Sequence, residues 1–510
     1  MATNTHVDPG QRRICSGQAV TSMSCPGACY SFEDMTETKF TVIIVGGSIA
    51  GLSLAHCLQR AGIECIVLEK RAQITAHEGA SVGIMPNGGR ILEQLGLFDA
   101  VDKAIEPMRV AHVRYPDGFQ FTSPYPEALY ESFGFPMAFI SRQTLLRILY
   151  HGIPDKSKIH EGETVVRVDH LSNGVQVHTQ DGRAYKGDLI VGADGVHSGV
   201  RTQMWHLADT LRPGTIRENE KKGMTVSYAC IFGVSTEVHG LDIGHLHITV
   251  YNGKSFIVAP GLHGQLSWFV VLKLDKTYAY GDAPRFSSTN AALICEQLKD
   301  MYIWEDIQFS QIWKRRQTYS MTPLEENIFQ TWHFGRMVCI GDSMHKMTPN
   351  LGQGANCAIE DAASLANVLY DALKTGSYPR SLSDQEIDYH LSRFNKLRVD
   401  RVAGIYKASR LVVRLQTRDN LLWKFVLRYY VPYSGNDPIE RAMKLLENAA
   451  ALNYIPLPQR SGARWMLSKK KKETHFAWPS AVLLILMFAL LWYRSGKLPV
   501  YRVSEWVLDS

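Results

Sequence analysis

The sequence predicts an α/β chain: a dinucleotide-binding βαβ fold joined to an antiparallel β lobe, then C-terminal helices and a C-terminal transmembrane helix. Three observations predict it. A continuous apolar strand at Phe40–Val45 runs into a glycine cluster and then a segment of helical period. Between 224 and 273, short β-type runs are separated by turn dipeptides. Phe476–Trp492 is apolar at nearly every position. The chain has 510 residues, 45% hydrophobic and 20% charged, which is ordinary for a globular protein but long for a single core. Of the formal net charge of +6, Arg464 and Lys469–Lys472 supply five, so the body is near neutral and nucleic acid is not an expected partner.

Residues 1–37 have no hydrophobic periodicity and no apolar run of signal-peptide length, and read as a disordered extension. Order begins at Phe40. Phe40-Thr-Val-Ile-Ile-Val45 has the length and composition of a strand buried on both faces of a parallel sheet. Gly46-Gly47-Ser48-Ile49-Ala50-Gly51 follows, then Leu52, Ala55, Leu58 and Ala61 at helical spacing, with Gly62 as the stop. A second strand, Glu64–Leu68, ends at Glu69. In this pattern Gly46 makes the tight turn and Gly51 lets helix and strand pack closely. The helix N-terminus then offers N–H groups and a positive dipole to a pyrophosphate. Ser48 stands where the middle glycine is usual. Glu69, 23 residues beyond Gly46, can accept from ribose hydroxyls and would repel a 2′-phosphate there.

Further strands are expected at 165–168, 175–179 and 188–191, and in a second lobe at 224–234, 245–251, 255–258 and 266–273, with Asn252-Gly253 as the tightest hairpin. Val338-Cys-Ile340 reads as another buried strand, and 355–375, 385–430 and 437–452 as mostly helical. The nine cysteines show no CxxC pair and no metal spacing, so no metal is expected and the thiols read as reduced. Phe476–Trp492 spans 17 residues with Trp478, Trp492 and Tyr493 at its edges and Lys469–Lys472 before it. That predicts a membrane-crossing helix over 476–493 with the body in the cytosol.

Two later motifs define the chemistry. Gly192-Ala-Asp-Gly-Val-His-Ser198 with Arg201 follows the strand Leu189–Val191. Gly341-Asp-Ser-Met-His-Lys-Met-Thr-Pro-Asn-Leu-Gly-Gln-Gly-Ala-Asn356 follows Val338–Ile340. With the first glycine cluster, and in this order over about residues 38–375, they resemble the FAD-dependent aromatic-hydroxylase-type, single-component monooxygenases. Glu78-Gly-Ala-Ser-Val-Gly-Ile-Met-Pro-Asn-Gly-Gly-Arg90 and the apolar tail are similar to the fungal epoxidases of meroterpenoid and indole-diterpene biosynthesis. The resemblance implies a Rossmann-like FAD-binding domain at 38–375 with a substrate lobe at about 205–330 inserted, and a C-terminal helical region at 376–460.

Site residues follow from motif and resemblance together. Gly46, Gly51 and Glu69 belong to the dinucleotide end. Asp342 can accept from ribityl hydroxyls. Gly352, Gln353 and Gly354 open a helix toward the flavin, and Ala355 is small enough for the ring to approach. Gly83 allows backbone contact, and Arg142 begins a helix from which the resemblance implies contact with the pyrophosphate. Arg201 serves either the cofactor or the fold. Tyr228 is the active-site residue the resemblance implies on the substrate lobe. His345, with no evident carboxylate partner, and His197 read as structural.

The resemblance implies NADPH as a transient reductant, since the one dinucleotide fingerprint serves FAD. It also implies molecular oxygen as co-substrate and epoxidation of a terminal prenyl alkene on a hydrophobic substrate. A membrane anchor at the endoplasmic reticulum would then hold the enzyme where such a substrate dissolves. The alternatives are hydroxylation of a prenylated phenol, a prenyl-chain reductase without oxygen insertion, and a membrane-tethered flavoprotein that only binds.

Overall fold

The first expected strand is present as Thr41–Val45 in a computed structural model that describes residues 39–76, 81–374, 381–460 and 462–467. It pairs in parallel with Glu64–Glu69 on one side and Leu189–Gly192 on the other. Because both neighbours and both faces are covered, Val42, Ile43 and Ile44 are fully buried, which is why the run is continuously apolar rather than alternating. The full sheet has six strands, ordered His333–Phe334, Met337–Cys339, Leu189–Gly192, Thr41–Val45, Glu64–Glu69 and Ile159–Glu161. Helix Ile49–Arg60 links the first two strands in sequence. It closes at Gly62, whose φ of +72° only glycine adopts without strain.

The second sheet is antiparallel for most of its eight strands. Its centre is Arg316–Ile328, Thr225–Ser235, Leu266–Ala279, Lys254–Pro260 and His245–Tyr251. The expected Asn252-Gly253 hairpin is there, joining His245–Tyr251 to Lys254–Pro260 with Gly253 at φ +73°. Two strands that the sequence reading left unassigned, Val110–Arg114 and Gln120–Ser123, extend the sheet at one edge through a parallel pairing with His245–Tyr251. Being short and half-exposed, they carry little apolar signal. A three-stranded sheet (Val165–Leu171, Gly174–Thr179, Ala184–Gly187) matches the expected small hairpins.

Helix Gly354–Lys374 packs against Ile49–Arg60 and is buried along most of its length. The next helix is Asp384–Gln416, opened by a capping box in which the Ser383 and Glu386 side chains bond each other's backbone N–H. The stretch 385–430 is mostly helical as expected, but in separate pieces. Arg418 turns into the left-handed region at φ +51°, and a separate helix, Leu421–Phe425, follows.

The expected transmembrane architecture is corrected here. Among the described residues no helix is long and apolar enough to cross a membrane. The two that have the length fail on chemistry. Asp384–Gln416 carries Arg393, Lys396, Arg398, Asp400 and Arg401 within a few turns, and Gly354–Lys374 is already spent on the protein core and includes Glu360 and Asp361. The segment 476–493 lies outside the described residues, as does 1–37. The fold is therefore a Rossmann-like domain with an antiparallel β lobe and C-terminal helices. The membrane as partner and the single-pass location at the endoplasmic reticulum are withdrawn with the span.

Candidate active site

A cavity of about 750 Å³ is lined by residues at the carboxyl ends of the parallel strands and by side chains of the antiparallel sheet. Its size lies within the range of about 300–1,000 Å³ usual for cofactor and small-molecule sites. The open end of a parallel sheet is where such folds hold nucleotides.

The dinucleotide end is built around residues 45–71, with Arg142 and the loop 193–199 beside them. Gly46 sits at φ +108°, and a Cβ there would lie 2.4 Å from the Ala193 carbonyl oxygen. A Cβ on Gly51 would lie 1.9 Å from the Gly46 oxygen, so helix and turn touch through backbone alone. The Ser48 side chain caps no helix N–H; its hydroxyl accepts from Arg142 Nη2 at 2.8 Å. The first-turn N–H groups of Ile49–Arg60 are thus left without a side-chain cap beside the cavity. Arg142 opens helix Arg142–Gly152, whose Ser141 cap accepts from the Thr144 N–H, and its guanidinium lines the same cavity. Glu69 is buried and accepts from the Gly47 N–H at 2.6 Å and the Arg71 N–H at 2.9 Å. One lone-pair site on each oxygen remains for a ribose hydroxyl.

The middle of the cavity is the loop 341–355. Asp342 and Lys346 both line it and pair with each other. Burial works against the Lys346 ammonium, but Asp342 and then Glu325 hold its pKa above the ordinary value. Gly352 has φ +63°, and a Cβ on Gly83 would lie 3.3 Å from the Gly352 Cα. Gly83, Gly352, Gly354 and Ala355 all line the cavity. Asn356 ties the two segments, donating to the Gly83 and Gly352 oxygens at 2.8 and 2.7 Å and accepting from the Met85 N–H at 3.1 Å. A Cβ on Gly88 would meet the Asn356 amide oxygen at 2.1 Å, which accounts for part of the Pro86-Asn-Gly-Gly motif.

Behind this loop lies a charge network the sequence reading missed. His345 does have a carboxylate partner: its Nε2 is 2.7 Å from Asp361 Oδ2, and both residues are fully buried. Asp361 also accepts from the Gly341 N–H at 2.8 Å and from Arg398 at 2.6 Å. Glu360 accepts from Arg398, Arg401 and Asn87, and the Asn87 amide also donates to Gln353. Burial alone would raise the Glu360 carboxyl; Arg401 and Arg398 instead hold it down, at about 2. The partners come from positions 87, 345, 360 and 398, so no sequence spacing announces them. Arg201 clamps the fold, donating to the Ser343 and Val196 carbonyls.

The other end is apolar. Met85, Met137, Phe139, Leu246, Ile248, Ile257 and Phe269 line it. The strand His245–Tyr251 divides its side chains by the period of two: Leu246 and Ile248 face the cavity, while His247 and Thr249 face away, against Trp304 and the Ile303 carbonyl. That alternation was the available sequence signal for the wall. Tyr228 is buried on Thr225–Ser235 and is not among the residues lining the cavity. Burial pushes its phenol up to about 12 against the pull of Arg414, whose guanidinium lies 5.5 Å from the ring centroid.

The arrangement fits FAD: a glycine turn with no room for a Cβ, uncapped helix N–H groups beside a guanidinium, two carboxylates, Glu69 and Asp342, in the lining, and a glycine-lined slot leading to an apolar chamber. A profile of the family described as FAD binding domain matches residues 39–386. The FAD-dependent monooxygenase olcE of Penicillium canescens is 46% identical over 93% of this chain and 99% of its own. The FAD-dependent monooxygenase spyC of Aspergillus fumigatus is 52% identical over 84% of this chain and 90% of its own. Among solved structures, HpxO of Klebsiella pneumoniae, complexed with FAD and uric acid, superposes with a TM-score of 0.64 at 22% identity, covering 82% of this chain and 99% of that one, a likeness of fold.

Proposed function

The chain belongs to the FAD-dependent monooxygenases, and from that premise we propose that it epoxidises the terminal prenyl alkene of a meroterpenoid or indole-diterpene intermediate, with NADPH as transient reductant. The observation that carries this reading is the chemistry of the apolar chamber. The antiparallel sheet gives the cavity apolar residues, Leu246, Ile248, Ile257 and Phe269, while its titratable lining residues, among them Glu163, Asp194, His197, Asp342 and Lys346, come from the ends of the parallel strands and the loop 341–355. A phenol has to lose a proton to become reactive toward an electrophilic oxygen, whereas an alkene needs no base. An apolar chamber without one suits the alkene and a prenylated body.

Reduced FAD, when bound, would activate molecular oxygen, one atom of which goes to the alkene and the other to water. The protein's part is to hold and to exclude. Ser48, Arg142 and the helix N–H groups hold the pyrophosphate, Glu69 and Asp342 the two polyol portions, and Gly83, Gly352, Gly354 and Ala355 leave room for the ring. The N-terminus of helix Gly354–Lys374 favours negative charge on the ring edge it faces. Met85, Phe139 and Phe269 orient the alkene and keep water out, so that reducing equivalents are not lost as peroxide. Tyr228, protonated at neutral pH and outside the cavity lining, packs in the apolar cluster behind Leu246, Ile248 and Phe269 and does not act as a base. In this reading 38–375 is the monooxygenase domain and 376–460 its helical cover.

The test is mass spectrometry of the product formed from a prenylated scaffold under isotopically labelled oxygen. One labelled atom at the terminal alkene supports the reading. Label on an aromatic ring would select hydroxylation, and turnover without oxygen would select a reductase.

A further inference from the structure

A second cavity, of about 290 Å³, lies where the long helix ends, and the residues that matter in it are Tyr115, Asp117, Arg418, Lys424, Arg428 and Tyr429. Three cations face one carboxylate. Only Arg428 is neutralised, its Nη2 being 3.0 Å from Asp117 Oδ2. Among the described residues Arg418 and Lys424 have no carboxylate partner. Tyr115 is 1% exposed, yet among the described residues its hydroxyl has no hydrogen-bond partner. The Arg418 and Arg428 guanidinia lie over its ring, at 5.3 and 4.9 Å from the centroid.

The backbone adds an independent sign. Helix Asp384–Gln416 closes with the Asp419 N–H on the Arg414 carbonyl and the Arg418 N–H on the Leu415 carbonyl. The residue between these bonds must be left-handed, and glycine usually takes that place. Here an arginine takes it, at φ +51°. A strained conformation kept in a non-glycine residue points to a use for its side chain. Two residues earlier, Gln416 lines the large cavity, so the second pocket adjoins the first along the chain.

We propose that this pocket binds a phosphate dianion. Its free groups are all donors – guanidinium, ammonium and a buried phenol – and converging charged donors match phosphate oxygens. One source of such a group is the 2′-phosphate of NADPH, which the Glu69 carboxylate bars from the dinucleotide end; that source rests on the reading of NADPH as reductant. The other source is a separate phosphorylated small molecule.

The experiment uses the full-length, flavin-loaded chain and titrates inorganic phosphate by calorimetry against wild type, Arg418→Gln and Lys424→Gln. Saturable binding that weakens at least about tenfold in both variants is expected, the loss of one charge-assisted contact each. Lys424 is half-buried and bonded to no acid, so its variant reads the pocket even where Arg418→Gln fails to fold. Steady-state kinetics then separates the sources. A rise in KM for NADPH but not NADH, at unchanged kcat, assigns the nucleotide; phosphate binding with neither KM altered assigns a separate ligand. No saturable phosphate binding by wild type, or variants that bind as wild type does, would overturn the proposal. Neither result touches the labelled-oxygen test of the monooxygenase reaction.

Discussion

The two ends of the large cavity are made in opposite ways. The dinucleotide end is centred on about 30 contiguous residues, joined by Arg142 and the loop 193–199, and works largely through backbone: glycines at 46 and 51, helix N–H groups, and the Glu69 carboxylate at a strand end. The apolar end takes Leu246, Ile248, Ile257 and Phe269 from three consecutive strands and Phe139 from a strand about a hundred residues earlier, and works through side-chain shape. A cofactor common to many enzymes is gripped by atoms every chain has, so it demands glycine where a Cβ would collide. A substrate peculiar to one enzyme is gripped by apolar side chains that any core also uses. Changes at the first end should therefore cost flavin or the fold, and changes at the second should cost only substrate.

The largest effect is expected behind the cofactor end. Asp361→Ala leaves Arg398, His345 and the Gly341 N–H without their shared acceptor, and removing one partner of a buried ion pair costs about 3–5 kcal/mol. Denaturant unfolding measures it, and a loss under about 1 kcal/mol would show that the network is not what holds the loop. Gly51→Ala comes next. Its Cβ meets the Gly46 oxygen at 1.9 Å, backbone against backbone, and overpacking of this kind costs about 1–3 kcal/mol or more. The purified variant should come off the column colourless, and a yellow protein with normal flavin content would break the comparison from this side.

Phe269→Leu probes the opposite end. Flavin content should stay at the wild-type level while kcat/KM for a prenylated substrate falls by about tenfold, the usual worth of a lost apolar contact in a pocket. Loss of flavin here would mean that the two ends are not separable. The smallest effect concerns the outer face of the same sheet. His247 is buried, and burial, then the charges of His112 and His245, bring its pKa down to about 3. A folded-state pKa below the unfolded one means the unfolded chain takes up the proton first. Stability should then fall as pH drops from about 6.5 toward 3, and be unaffected by this group above 6.5. His247→Phe should flatten the melting-temperature profile between pH 7 and 5, and leave kcat/KM at neutral pH unchanged. An identical profile would remove His247 from the account.

The sequence by itself determined the nucleotide-binding βαβ unit, most strands of the lobe, and glycines and acids that prove to line the cavity. These rest on local chemistry: unbroken apolar runs, turn residues, and backbone approaches that admit no side chain. It could not show that His345 has Asp361 as its partner, because residues 16 apart meet only when the loop folds back on the helix. Nor could it tell Leu246 and Ile248 from core, since a cavity wall and a packed face have the same alternation. The apolar length of 476–493 read as a membrane span, which no helix of the described residues supports. Tertiary structure alone decided which buried charges pair, which apolar faces stay open, and that an arginine is held in a glycine's conformation beside an empty-handed tyrosine. Each of these depends on groups brought together across the chain, and distance in sequence holds no record of them.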